Sequence, residues 1–175
     1  MEKKFELTAE CKVVCGIKLF RIRALRAIAR FGVKVGDIGG WVEKEENVSH
    51  DGNAWVYGNA RVYGNAEVYG DAKVSGDAEV SGSAWVYGNA RVYGNARVCG
   101  EARVSGDALV NSVGDIFVCY NAISSGRPIT YTRSNKKWVT GCFSGTGEEL
   151  IAKAFADSKE KGEWFKKLVQ LVENL

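Results

Sequence analysis

The chain has 175 residues, is 46% hydrophobic and carries a formal net charge of +3. That length fits one compact unit with end caps, and so mild a charge excludes a polybasic nucleic-acid binder, so no duplex nucleic acid is expected as a partner. With 21 glycines and a single proline, the chain is neither collagen-like nor a proline-rich linker. No run approaches the ~20 apolar residues of a membrane helix, so no membrane partner is expected. The N-terminus MEKKFELTAE lacks the apolar stretch of a secretion signal. Five scattered cysteines suit a reducing compartment, and the expected location is the cytoplasm.

Residues 1–55 read as a β cap and lead-in. KVVCGIKLFRIRA places apolar residues at Leu19, Phe20, Ile22 and Ala24, with Gly16 as the turn of a hairpin. GDIGGWVEKEENV then leads into the repeat. Lys18, Arg21, Arg23, Arg26 and Arg30 form a basic run, read as a solvated strand face, with an anionic ligand or partner as the alternative. Cys11 and Cys15 have no His or second Cys pair at zinc-ligand spacing, so no metal and no cofactor are expected.

Residues 56–116 are a repeat of the form A-x-V-x-G-[N/D]. Val recurs every six residues from Val56 to Val110, and Ile116 keeps the count. Ala stands two before each of these valines, from Ala54 to Ala108. Ala and Val therefore share one face of a very short strand, and the two x residues share the other. The following Gly-Asn or Gly-Asp pair supplies a corner. Three such sides close a triangular coil, stacked roughly 4.8 Å from the next. Val42 and Val48 continue the six-residue step upstream, and SHDGNAWV puts a two-residue insertion near His50 and Asp51. About four coils are expected. The outward positions pair Trp55 with Tyr57, Trp85 with Tyr87 and Arg91 with Tyr93.

Residues 117–175 form a different tail. ITYTRSNKKWVTGCF predicts a β-hairpin around SNKK. Thr146 and Glu149 make a capping box, so a helix starts there and is expected to break near Gly162. A second helix, EWFKKLVQLVENL, puts Trp164, Leu168, Leu171 and Leu175 on one face, available to the coil end, the first helix or another subunit. The predicted class is mainly β: a parallel β-helix with an N-terminal β cap and a C-terminal hairpin plus two helices.

The unbroken registers from Val56 to Ile116 resemble the hexapeptide-repeat proteins. That resemblance implies a left-handed coil, against the hand usual for parallel crossovers, and a homo-oligomer, with a trimer favoured by analogy. GDIGGWVEKEENV and ITYTRSNKKWVTGCFSGTGEEL resemble the two ends of repeat proteins of bacteriophages and prophages, of a polymer-forming or phage-protein type. The resemblance implies a phage setting more firmly than an activity.

Three readings of function follow. Many hexapeptide-repeat proteins are acyltransferases with a His base, and this chain has one His, His50. It stands in the lead-in loop, and no long loop projects from the coils to wall off a donor cleft. The preferred reading is a non-enzymatic binding protein that uses Trp55, Tyr57, Trp85, Tyr87, Arg91 and Tyr93, since Trp, Tyr and Arg dominate interface hot spots. In a phage setting it is expected to antagonise host defence, by binding a defence protein or sequestering a nucleotide second messenger. A self-associating structural protein is the third reading, and caps at both ends argue against open-ended polymerisation. Neither acid nor base dominates the repeat: from 56 to 110 it holds five basic and six acidic residues.

Since every side buries one Val, Val74→Asp should abolish the cooperative thermal transition followed by circular dichroism, because an unpaired buried carboxylate costs more than a domain of this size can spare.

Overall fold

The computed structural model describes residues 2–123 and 126–175. Strands β1 (Phe5–Val14) and β2 (Ile17–Ala24) pair antiparallel as the expected hairpin. Its turn holds Cys15 and Gly16, both at positive φ. β2 pairs on its other edge with β3 (Ile38–Val42), and β3 is already a side of the coil, with Trp41 and Val42 in parallel register with Arg61 and Val62. The solenoid therefore begins inside the segment read as a cap.

Ten strands of two residues follow: β4 (Trp55–Val56), β5 (Arg61–Val62), β6 (Glu67–Val68), β7 (Lys73–Val74), β8 (Glu79–Val80), β9 (Trp85–Val86), β10 (Arg91–Val92), β11 (Arg97–Val98), β12 (Arg103–Val104) and β13 (Leu109–Val110). They stack as three parallel ladders. The first side is the four-stranded ladder β4-β7-β10-β13, the second runs β3-β5-β8-β11, and the third is β6-β9-β12. Partners lie eighteen residues apart, Trp55 beside Lys73 and Glu67 beside Trp85. Upstream the spacing is twenty, Val42 to Val62 and Val48 to Val68. The two extra residues thus fall between Val48 and Val56, where SHDGNAWV placed them. The result is a parallel β-solenoid of about four coils.

Burial and hydrogen bonding hold it together. Every repeat Ala from Ala54 to Ala108 and every Val from Val56 to Val110 is fully buried. Each buried Val contributes about 1.5–3 kcal/mol before its entropy cost. Between coils, the N–H of an outward residue donates to a carbonyl seventeen positions on: Trp55 to Ala72, Tyr57 to Val74, Arg61 to Ala78. Corner glycines stack so closely that a Cβ on Gly82, at φ +70°, would lie 2.9 Å from the backbone of Gly100. Glycine is needed there for the left-handed φ and for the space.

The coil ends are closed by side chains. At the N-terminal end the carbonyls of three corner glycines each accept from one: Gly52 from Arg26 at 2.9 Å, Gly58 from Arg21, and Gly64 from Asn47 at 3.2 Å. Two more arginines of the basic run are also engaged. Arg23 bonds Glu6, and Arg30 donates to Asn89 at 2.7 Å. These arginines are therefore fasteners of the cap, and only part of the run is a solvated face.

The C-terminal end uses oxygen acceptors. The N–H of Arg103 donates to Thr130 Oγ1 at 2.9 Å and that of Leu109 to Ser134 Oγ at 2.7 Å. Asp115 accepts from the N–H groups of Asn111 and Ser112, both at 2.8 Å. These acceptors belong to, or adjoin, an antiparallel sheet of β14 (Ile116–Tyr120), β15 (Pro128–Thr132), β16 (Lys137–Thr140) and β17 (Phe143–Gly145). Ile116 keeps the six-residue count, yet it pairs with Thr132 in this sheet and makes no coil side. The coil ends at Val110 because Asp115 and a 3-10 turn, Val113–Asp115, turn the chain out of the ladder.

Helices α1 (Gly147–Asp157) and α2 (Lys159–Glu173) complete the cap. The Thr146–Glu149 capping box opens α1 as expected. The break falls at Ser158, not near Gly162. Ser158 has extended backbone and its side chain accepts from the N–H of Lys161, so it caps α2. Gly162 lies inside α2 against the Phe155 ring, where a Cβ would stand 2.2 Å from a ring carbon. The packed face of α2 is centred on Phe165, Val169 and Val172, which are buried; of the four residues expected there, Trp164 and Leu168 pack half-buried against the same cluster, whereas Leu171 is 62% and Leu175 69% exposed.

Lys4 is fully buried under the N-terminal cap, with its Nζ 3.4 Å from the Asp51 carbonyl. Burial, helped by the nearby Arg26 charge, lowers its pKa from 10.5 to about 8. Below pH 8 the folded state carries a buried charge at a constant cost. Between pH 8 and 10.5 the unfolded chain still holds the proton that the folded chain has lost, so stability rises with pH across that window. Lys4→Met should therefore raise the melting temperature at pH 7, by an equivalent of at most about 3 kcal/mol. The gain should shrink as melts are repeated from pH 8 to 10.5.

Candidate aromatic interface

Side chains eighteen residues apart lie one above the other on the solenoid surface, so each side carries vertical columns. On the third side the columns bring Tyr69, Trp85, Tyr87 and Arg103 together. Tyr69 and Tyr87 stack with ring centres 5.0 Å apart and planes within 5°. Trp85 meets Tyr69 edge-on at 6.3 Å and 76°. The Arg103 guanidinium lies 4.7 Å from the Trp85 ring centre. Arg103 also donates from Nη1 to the Gly141 carbonyl at 3.0 Å, so it is held between the solenoid and the C-terminal sheet. All four side chains are half-buried. Burial, and then the neighbouring Tyr87, raise the Tyr69 hydroxyl above its ordinary pKa, so it stays protonated near neutrality.

The first side differs. Trp55 points out of the coil but is only 1% exposed, because the cap covers it with Phe5, whose ring meets it edge-on at 6.2 Å. Tyr57 is half-buried beneath the same cap. Its hydroxyl donates to the Phe31 carbonyl at 3.1 Å, and the Lys73 ammonium lies 4.5 Å from its ring centre. Arg91 and Tyr93 are exposed two coils further on. The six residues expected to form a binding surface therefore split into three sets. Trp85 and Tyr87 belong to the third-side cluster, Trp55 and Tyr57 to the cap junction, and Arg91 and Tyr93 to open first-side surface.

Two members of the cluster, Tyr69 and Arg103, were not singled out in the sequence. Register identifies them: Tyr69 is eighteen before Tyr87, and Arg103 eighteen after Trp85. On the second side the hairpin takes the exposed aromatic for itself. Trp41 is 6% exposed, with the Arg21 guanidinium at 4.3 Å and the Lys12 ammonium at 4.1 Å from its ring centre. Below it, Glu79 accepts from Arg61 Nη2 at 2.9 Å and from the Tyr63 hydroxyl.

His50 is packed into the N-terminal cap. Its Nδ1 accepts from the Lys4 N–H at 3.1 Å, its ring lies 4.5 Å from that of Phe5, and its Nε2 is 3.5 Å from Glu45. Glu45 is held below the usual carboxylate range, chiefly by its hydrogen bond from Lys3. Among the described residues, no three His, Cys, Asp or Glu side chains converge as metal ligands, and no helix is long and apolar enough to cross a membrane.

The chain matches the YdcK β-solenoid repeat family over residues 54–70 and 84–100. The first stretch holds β4, β5 and β6, and the second β9, β10 and β11, so each spans three successive sides. With the three parallel ladders, this places the chain among β-solenoid proteins. No curated protein matches the sequence.

The stacked pair makes a defined prediction. A double-mutant cycle of Tyr69→Ala and Tyr87→Ala, read by denaturant unfolding, should give a coupling of about 0.5–1.5 kcal/mol, against near zero for Tyr69→Ala with Tyr93→Ala.

Proposed function

We propose that the protein is a non-enzymatic binding protein and that the third side of its solenoid is the contact surface. The observation that carries this reading is the Tyr69–Tyr87 stack with Trp85 against it and Arg103 under Trp85. Trp, Tyr and Arg are the residues that most often anchor interfaces, and rings already stacked lose little freedom on binding. The same combination suits a nucleobase on the rings with a phosphate near the guanidinium.

The resemblance of the chain's ends to phage and prophage repeat proteins supplies the setting. In that setting the protein acts in the cytoplasm of an infected bacterium as an antagonist of defence, engaging a host defence protein or a nucleotide signal. The likeness of its six-residue sides to hexapeptide-repeat proteins supports a homo-oligomer, with a trimer as the analogous state.

A native mass spectrum of protein purified from a phage-infected host should show added mass: a few hundred daltons for a nucleotide, or a host polypeptide. The same preparation of Trp85→Ala should lose it, with affinity falling by roughly 30-fold or more, the ~2 kcal/mol of a hot spot. His50→Ala should keep it. Retention of the added mass by both Trp85→Ala and Tyr87→Ala, or its loss in His50→Ala, would sink the reading.

A further inference from the structure

The first side of the solenoid is covered at one end and bare at the other. Residues 25–37, between β2 and β3, form a strap that leans on its N-terminal half. The Tyr57 hydroxyl donates to the Phe31 carbonyl. Arg30 donates to Asn89 at 2.7 Å and pairs with Asp71 at 3.4 Å, both at the corner that leads into this side. Beyond the strap, Arg91 and Tyr93 on the β10 rung and Leu109 on the β13 rung are exposed. The side therefore has a step, with its first two rungs under a layer of cap and its last two open.

Exposed apolar groups gather on both levels of that step. Eleven large apolar side chains are exposed among the described residues. Leu25, Val35 and Ile38 lie on the strap or where it rejoins β3, and Tyr93, Leu109 and Val113 on the bare half or in the turn just after it. Apolar surface gathered in this way marks a contact. Charge divides between the same two levels. Asp37, on the strap, is exposed, and its carboxylate accepts only from the Lys34 N–H. Arg91, on the bare half, has no side-chain hydrogen bond or ion pair among the described residues.

We propose that two copies of this chain pair through the first side, about a two-fold axis lying between the Lys73 and Arg91 rungs and perpendicular to the rod. Such an axis sets each strap on the bare rungs of the other copy, so one step fills the other, and the contact is the same patch on both copies. Leu25, Val35 and Ile38 then meet the partner's Tyr93, Leu109 and Val113, and Asp37 meets the partner's Arg91. A three-fold arrangement of parallel rods cannot do this, because it holds every strap level with the next strap. The contact is at the low end of stable interfaces, so the pair is reversible. It leaves the third side of both copies open and does not rest on the reading of that side.

Sedimentation equilibrium of the full chain at up to about 100 µM should give twice the mass of one chain. Val35→Glu and Leu109→Glu should each weaken pairing by about tenfold or more, since each sets a carboxylate in an apolar contact. Leu171→Glu, at an exposed position of α2, should leave it unchanged. Asp37→Arg alone and Arg91→Asp alone should each weaken pairing as well. Mixed one to one, these two variants should form a mixed pair, because both of its charge contacts again join opposite signs. That rescue needs no change to an apolar residue, so it decides the proposal even where a glutamate variant fails to fold. A monomer at the highest concentration, a trimer, a dimer indifferent to Val35→Glu and Leu109→Glu, or no pairing in the mixture would each overturn it.

Discussion

The hydrogen bond that each coil donates to the next, from an outward N–H to the carbonyl seventeen positions on, is the interaction on which the rest of the molecule depends. It repeats without change along the rod, so one short phrase can be used again and again. It also runs out at both ends, and a buried backbone group left unpaired costs about as much as several good contacts gain. The two caps answer that shortage with opposite chemistry. Where carbonyls are exposed, Arg21, Arg26 and Asn47 donate to the three corner glycines. Where N–H groups are exposed, Thr130, Ser134 and Asp115 accept. The basic N-terminal run and the hydroxyl-bearing tail are two halves of one requirement.

The same ladder decides which surfaces stay open. Because coils stack in strict register, outward side chains form columns, and a column is covered wherever a cap leans on it. The hairpin and its following turn cover the first side at Trp55 and Tyr57 and the second at Trp41. Among the described residues, only the third side of the solenoid keeps a cluster of aromatic rings in partial contact with water. Its position is set by end closure as much as by its own residues.

How much of this was legible in the sequence follows from where the residues sit. Inside the rod every side obeys one pattern, so the strands, the three columns and the two-residue insertion before Val56 could be read off the spacing. The ends obey no repeat. Ile116 matches the count and still leaves the coil, because Asp115 ties up the backbone of Asn111 and Ser112 just before it. Arg21 and Arg26 look like surface charges until the corner carbonyls they serve are placed near them. Trp55 has an outward position, but its burial depends on Phe5, fifty residues away. Gly162 resembles a helix breaker, and only the Phe155 ring shows why a glycine is used inside a helix. In the candidate interface, Trp85 and Tyr87 stood out by residue type. Tyr69 and Arg103 needed the eighteen-residue register applied to side-chain pairs as well as to strands.

The aromatic cluster is fastened to the C-terminal cap at one peptide turn. Arg103, under Trp85, donates from its guanidinium to the Gly141 carbonyl, while its own N–H donates to Thr130 Oγ1. A hydrogen bond from a charged group is worth about 1.5–3 kcal/mol, so one residue both closes the end of the ladder and holds the last member of the third-side column against the cap sheet. The cluster is therefore anchored where the repeat stops, the same place where the ladder's hydrogen bonds had to be completed by side chains.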